Sequence, residues 1–244
     1  VRVRPLLGLL IPLACAALFV RLGLWQLSRH QERAGFNAIL AARLGQPASV
    51  LDVFALADST SVRGRRVTVS GRFRYDLEQV VAGRVSEGSP GVHLLTPLER
   101  PGSDTLLVVL RGWVYSPDAK SVVTAEWHER DSVTVSGYLI PISEDGVAPA
   151  GVLRPGEPMR RVSLRALRAR ISAPIYAAQL VMTSDSLRRA DSVPRRLPPP
   201  TIDAGPHWSY MWQWFAFAVV AVVGGVGLFR RSRPQLGSGS RSGT

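Results

Sequence analysis

Two apolar runs bracket the chain, and between them the pattern is polar or alternating. The first run extends from Pro5 to about Leu27, broken only by Arg21. The second extends from Trp208 to Phe229 without a formal charge. Each is close to the ~20 residues that a helix rising ~1.5 Å per residue needs to cross ~30 Å of hydrocarbon. The pattern predicts two transmembrane helices with one folded domain between them, so any function is performed at a membrane. Pro5 is harmless near a helix start, and Pro12 is expected to bend a helix that lipid can tolerate.

Residues 30 to 45 read as a helical extension of the first span, with Ala34, Ala38, Ile39 and Ala42 near helical spacing and Gly45 and Pro47 as the stop. Beyond it, Val67 to Tyr75 alternates with period two, as a half-exposed strand does, and Glu78 to Arg84 is expected to be its hairpin partner. Gly91 to Leu98, Thr105 to Tyr115, Val133 to Ile142 and Tyr176 to Met182 read as further strands. The pentapeptide Val-Thr-Val-Ser-Gly occurs at both 67–71 and 133–137, which suggests a pair of similarly placed strands. Ser163 to Ile171 reads as a single amphipathic helix, with Leu164, Leu167 and Ile171 on one face and Pro174 ending it. Strands outnumber helices and short turns join most of them. The expected fold is therefore an α+β membrane protein, two transmembrane helices flanking a β-rich, mainly antiparallel extracytoplasmic domain. The pattern leaves barrel and sandwich both open. Five prolines between Pro194 and Pro206 predict a stiff extended linker at 193–206.

The flanks set the expected orientation. Arg2 and Arg4 precede the first run, and Arg230, Arg231, Arg233 and Arg241 follow the second. Basic residues in short flanks stay in the cytoplasm, although Arg21, Arg29 and Arg33 weigh against this. The expected division is residues 1–29 as cytoplasmic N-terminus and first span, 30–206 as extracytoplasmic domain, 207–229 as second span and 230–244 as cytoplasmic basic tail. A cleaved signal peptide is the rival reading of the first run, given its basic start and small residues at Ala14, Ala16 and Ala17. Apolar character continuing past Cys15 to Leu24 favours a retained span in the cell (inner) membrane.

The formal net charge of +12 raises the question of nucleic acid. The basic residues are almost all arginine, Lys120 being the only lysine, and they are scattered. No zinc-finger spacing, aromatic RNA-binding motif or recognition-helix pattern accompanies them, so anionic membrane lipid is the expected partner and nucleic acid is not. Cys15 stands alone inside an apolar run, which excludes an internal disulfide and a thiol-based copper chaperone. The chain has no Gly-x-Ser-x-Gly turn, phosphate-binding glycine loop, His-Glu-x-x-His or dinucleotide fingerprint, and no enzyme is expected.

Four histidines remain. His30 and His128 lie in polar, exposed-looking segments, and His93 sits in a strand beside Leu94 and Leu95, where a structural role is the commoner one. His207 opens the second apolar run and is followed by Trp208, Tyr210, Trp212, Trp214 and Phe215. An interfacial aromatic belt accounts for the rings. An axial ligand to a haem lying at the membrane surface would also account for the imidazole. Met211 follows one turn later on the same face, so it cannot supply the opposite ligand to the same iron.

Taken together, the motifs resemble the surfeit locus protein family of cytochrome c oxidase assembly factors. They are Gly23-Leu-Trp25-Gln26-Leu-Ser-Arg29, Arg65-Arg-Val67-Thr-Val-Ser-Gly71-Arg-Phe73, Gly91-Val-His93-Leu-Leu-Thr96-Pro97-Leu98, Arg111-Gly112-Trp113-Val114 and His207-x-x-Tyr210-x-x-Gln213-Trp214-Phe215, in that order between two apolar helices. The resemblance implies that both termini lie on the inner side. It also implies a role in maturing the oxidase catalytic subunit alongside the haem a synthesis machinery, with haem a as a transient cofactor whose axial ligand is His207. Trp25, Gln26, Tyr210 and Trp214 are then expected to line the haem site if the two helices are neighbours. The alternative is a membrane-anchored scaffold that binds and stabilises oxidase subunits without carrying haem, with His93, Arg111 and Trp113 on a docking surface. Gly64 departs from the tyrosine that many relatives carry, and Met211 from a smaller residue.

Overall fold

A computed structural model describes residues 4–51, 62–144, 157–183, 194–203 and 205–231. Arg2, Asp145, residue 193 of the expected linker, Arg233 and Arg241 lie outside them. The chain divides into two compact units, one made of residues up to Ile39 together with those from Ile202 onward, the other of Leu40–Thr201.

The first unit is a pair of helices. Helix α1 spans Arg4–Gly45 and contains Pro12, and the last helix, α3 below, spans His207–Arg231. The extension expected at 30–45 is thus continuous with the first helix. Both helices are long and apolar enough to cross a membrane, with mean hydropathy of 1.7 and 1.8 over their best windows. They run antiparallel, since Gly23 faces Phe215 while Pro12 faces Gly225. Buried residues recur every seven positions on both, Ala16 and Gly23 on α1, Met211, Ala218 and Gly225 on α3. A seven-residue repeat of mostly small side chains keeps one seam in register and lets two backbones approach closely. A Cβ at Gly23 would overlap the Phe215 ring, and one at Gly225 would overlap Pro12. Large apolar side chains such as Leu18, Leu24, Val220 and Val223 stay exposed, as a lipid-facing surface requires.

The second unit is a β-barrel. Its strands are β1 (Ser49–Val50), β2 (Arg66–Phe73), β3 (Gln79–Ser86), β4 (Ser89–Arg100), β5 (Ser103–Tyr115), β6 (Ser132–Pro141) and β7 (Ile175–Met182), with α2 (Leu164–Arg168) before the last. The sheet order is β1-β2-β6-β7-β5-β4-β3, and a further pairing of β2 with β4 closes β2, β6, β7, β5 and β4 into a ring. Pairing is antiparallel except for β1 with β2 and β5 with β7. The expected β-rich, mainly antiparallel domain is what forms, and the open question resolves as a barrel. Val67, Val69, Phe73, Leu98, Leu107, Val109, Val135, Leu139 and Leu180 fill one core cluster. A second, containing Leu95, Val108, Leu110, Leu164, Leu167, Ile171 and Val181, seats α2.

The repeated pentapeptide pairs with itself. Val67, Thr68, Val69, Ser70 and Gly71 lie opposite Gly137, Ser136, Val135, Thr134 and Val133, so the two copies are related by a local two-fold through Val69 and Val135. The alternation buries both central valines and places hydroxyls opposite one another on the other face. Thr68 and Ser136 hydrogen bond at 2.9 Å, Ser70 and Thr134 at 2.8 Å. Cross-strand hydroxyl pairs of this kind contribute about 0.2–1 kcal/mol each.

Two expectations are corrected. β3 is not the hairpin partner of β2 but pairs with β4, because β6 takes one edge of β2 while β1 and β4 share the other. The predicted helix at 163–171 shrinks to Leu164–Arg168, capped by the Ser163 hydroxyl, which accepts the Ala166 N–H at 3.2 Å. The expected faces hold, with Leu164, Leu167 and Ile171 all buried. Gly64 adopts φ 77°, and its Cβ position is filled by Leu40, so the departure from tyrosine there suits this chain.

Candidate functional site

At the start of α3 the imidazole of His207 is held from α1. Its Nδ1 lies 2.8 Å from Oε1 of Gln26. With the amide oxygen as acceptor, Nδ1 donates the hydrogen bond, and Nε2 is the ring nitrogen left for another partner. Gln26 reaches His207 because α1 and α3 are antiparallel neighbours, and because Gln26 follows Gly23 by one turn on the face of α1 turned toward α3. Gly205, at φ 71°, lets the chain turn into α3, and its N–H donates to the Asp203 carboxylate at 2.8 Å. The Asp203 carbonyl in turn accepts from Asn37 of α1 at 3.0 Å.

The aromatic residues divide into two groups. Trp25 and Tyr210 stand exposed, Trp25 at 53%. Trp214 is half-buried and stacks on Phe19 of α1 with centroids 5.7 Å apart. Phe217 packs edge-on against Trp214 at 5.9 Å. Met211 is buried in the seam at 4% exposure, which leaves it no access to a ligand at the surface. Thus Gln26 and His207 are brought together, Trp214 sits two turns deeper, and Trp25 and Tyr210 flank rather than join the hydrogen bond.

His30 was expected to be an exposed polar residue, but its ring lies 5.5 Å from that of Trp208, and its Nδ1 is buried without a hydrogen-bond partner. It stands one turn beyond Gln26 on the same face of α1. A second imidazole at this corner was visible in the sequence only as the i, i+4 spacing of Gln26 and His30.

In the barrel, Arg111 contradicts its expected place on a docking surface. It is wholly buried, because it is the extra residue of a bulge in β5, between Leu94 opposite Gly112 and Leu95 opposite Leu110. A bulge breaks the alternation and re-aims one side chain. The guanidinium donates to Glu78 at 2.7 Å, to Glu129 at 3.2 Å and to the Trp127 carbonyl, and lies over the rings of Tyr75 and Phe73 at 5.1 and 5.5 Å. Arg196 completes the cluster, donating to Glu129 at 2.7 Å and to the Arg111 carbonyl at 2.6 Å. Two cations therefore face two carboxylates, as burial requires. His128, also expected to be unremarkable, stacks on Tyr75 at 3.8 Å and faces Glu78 across 3.5 Å. Next to Arg111, Trp113 pairs with Arg195 through two 2.8 Å backbone bonds, so the segment after residue 194 is docked on the barrel at its start. His93, opposite Val81 and Trp113 on β4, has its pKa lowered to about 4, first by burial and then by the charge of Arg84. Both influences favour the uncharged imidazole.

The model of the SURF1 family matches residues 13–219 of this chain. A SURF1-like protein of Rickettsia felis is 31% identical over 123 residues, 50% of this chain and 52% of that protein. One of Rickettsia bellii is 32% identical over 109 residues, 44% of this chain and 43% of the relative. An uncharacterized SURF1-like protein of Mycobacterium bovis is 26% identical over 213 residues, 84% and 76% of the two chains. The chain spans about half the length of the rickettsial relatives it matches.

Proposed function

Because this chain belongs to the SURF1 family, whose members are cytochrome oxidase assembly factors, we propose that it carries haem a to the catalytic subunit of cytochrome c oxidase, with His207 as the axial ligand. The observation that carries this reading is the 2.8 Å contact between His207 Nδ1 and Gln26 Oε1. A histidine ligand that donates its other nitrogen to a fixed acceptor is oriented and made more basic, the arrangement that metal-binding histidines use. The residues present fit a haem. They offer one imidazole, oriented by Gln26 and with Nε2 left over, beside apolar aromatic side chains.

Haem supplies an iron that accepts an axial nitrogen. This chain's contribution is to hold and release it. Held by the one side chain of His207 on an apolar platform, the group would be released more readily than from a closed cage of two ligating residues. The role is non-enzymatic. In the membrane, antiparallel helices put the flanks of Arg4 and Arg230 on one side, and the positive-inside tendency makes that side cytoplasmic, with the barrel extracytoplasmic.

Purified full-length protein in detergent tests the proposal. Titration with haem a is expected to give a Soret band that the His207→Ala variant loses, together with oxidase assembly in cells. A variant that keeps both would refute the ligand role and leave a haem-free scaffold for oxidase subunits as the surviving reading.

A further inference from the structure

Beside the seam of the helix pair runs an apolar hollow of about 620 Å³, a volume within the ~300–1,000 Å³ of small-molecule sites. Pro12, Cys15 and Phe19 wall it from α1, and Trp214, Ala221 and Gly224 from α3. Its depth comes from small residues on α3. At Gly224 an added Cβ would meet nothing within 4 Å, so the space there is open. At one end the helices close on each other where Gly225 abuts Pro12. At the other end stand Phe19 and Trp214, stacked on each other and belonging to the same α1–α3 interface that holds Gln26 against His207. Trp214 stands seven residues, about two turns, along α3 from His207, so this is the end of the hollow nearer that contact. From Trp214 to Leu228, both in its wall, α3 advances about 21 Å at ~1.5 Å per residue.

We propose that this groove receives the farnesyl tail that distinguishes haem a and haem o from haem b, so that the helix pair selects tailed haems. The inference rests on the reading of His207 as haem ligand. A lipid acyl chain has similar chemistry, but it arrives from bulk membrane. A tail whose porphyrin is already fixed at the head of α3 enters as an intramolecular event, at a high effective concentration. The groove lies on the same two helices as His207, and Phe19 and Trp214 form the end of it nearer that residue, so ring and tail would occupy successive depths of the helix pair. Its floor of glycine and alanine admits the methyl branches of an isoprenoid, which larger side chains would exclude.

The test uses the full chain in phosphatidylcholine nanodiscs, titrated separately with haem a, haem o and haem b and followed by the Soret band. Wild type is expected to bind both tailed haems at least ~10-fold more tightly than haem b. The A221L/G224L double variant, which fills the groove, should lose that preference while binding haem b as wild type does. Val223→Phe, on the exposed face of α3, controls for added bulk and should preserve the preference. Groove filling that leaves all three affinities unchanged would assign the hollow to lipid and overturn the proposal, as would an equal fall for all three. A preference that persists in the filled variant while His207→Ala abolishes binding sinks the groove alone. Binding of every haem that ignores His207→Ala sinks the parent reading and the groove with it.

Discussion

The guanidinium of Arg111 meets the carboxylate of Glu78 at 2.7 Å, and the two side chains are 0% and 2% exposed. A pair so far from water is held by geometry and not by charge alone, because the attraction must offset the loss of two hydration shells. Here a bulge in β5, the Thr96 hydroxyl, the Trp127 carbonyl and two aromatic faces supply the remaining contacts.

Removing one partner leaves the other charge stranded. Arg111→Met is expected to destabilise the barrel by about 3–5 kcal/mol. Arg111→Lys should recover only part of this, since an ammonium cannot reach Glu78, Glu129 and a carbonyl at once. Chemical denaturation of the full chain in detergent measures both. A loss below 1 kcal/mol for Arg111→Met would contradict the cluster's structural role.

At the helix corner, Gln26→Leu should weaken haem a binding by about 10–100-fold, the usual cost of losing the partner of a ligating histidine. Gln26→Glu should retain binding, because a carboxylate also accepts the Nδ1 proton. Equal loss in both variants would mean that Gln26 acts through packing and not through the hydrogen bond.

Gly112 has φ 153°, and a Cβ there would strike the backbone of Pro194 and Arg195. Gly112→Ala is therefore expected to cost about 1–3 kcal/mol and to release the docked segment. Limited proteolysis should then cut around residues 194–201 in the variant well before it cuts wild type.

His93 gives the barrel an acid limb. Its folded pKa of about 4 lies below the unfolded value of 6.5, so between these pH values the unfolded chain binds the extra proton. Stability thus rises with pH through this window, and falls as pH drops from 6.5 toward 4, with a slope of up to about one proton. His93→Gln should flatten that part of the stability–pH curve. A slope unchanged by the substitution would assign the acid sensitivity to other groups.

β2 and the first half of β6 were legible from alternation with period two, whereas β4, β5 and β7 were legible as short apolar runs, which the fold buries almost continuously. The repeated pentapeptide even announced which two strands resemble each other. Its antiparallel self-pairing follows once both copies bury their central valine. The partner of β3 was not legible, since adjacency in the chain suggests a hairpin while the edges of β2 are occupied by strands from farther along. Arg111 was misplaced for a different reason. Charge normally marks a surface, and a bulge that turns one residue inward leaves no trace in local composition. Gln26 and His207 could be proposed as neighbours from their depth in the two helices, but the choice of Nδ1 as the bonded nitrogen needed coordinates. His30 and His128 looked ordinary because their partners, Trp208 of a distant helix and the turn holding Tyr75, lie elsewhere in the chain.

Strand β7 is the last of the barrel to be synthesised, yet it lies between β6 and β5. Without β7 the ring of β2, β6, β5 and β4 would stand open between β6 and β5, and both rims of the slot would expose unpaired backbone groups. Such a slot invites edge-to-edge association with other unfinished chains. Biogenesis of this factor therefore contains its own vulnerable interval, ended only when the final strand slides in like a wedge.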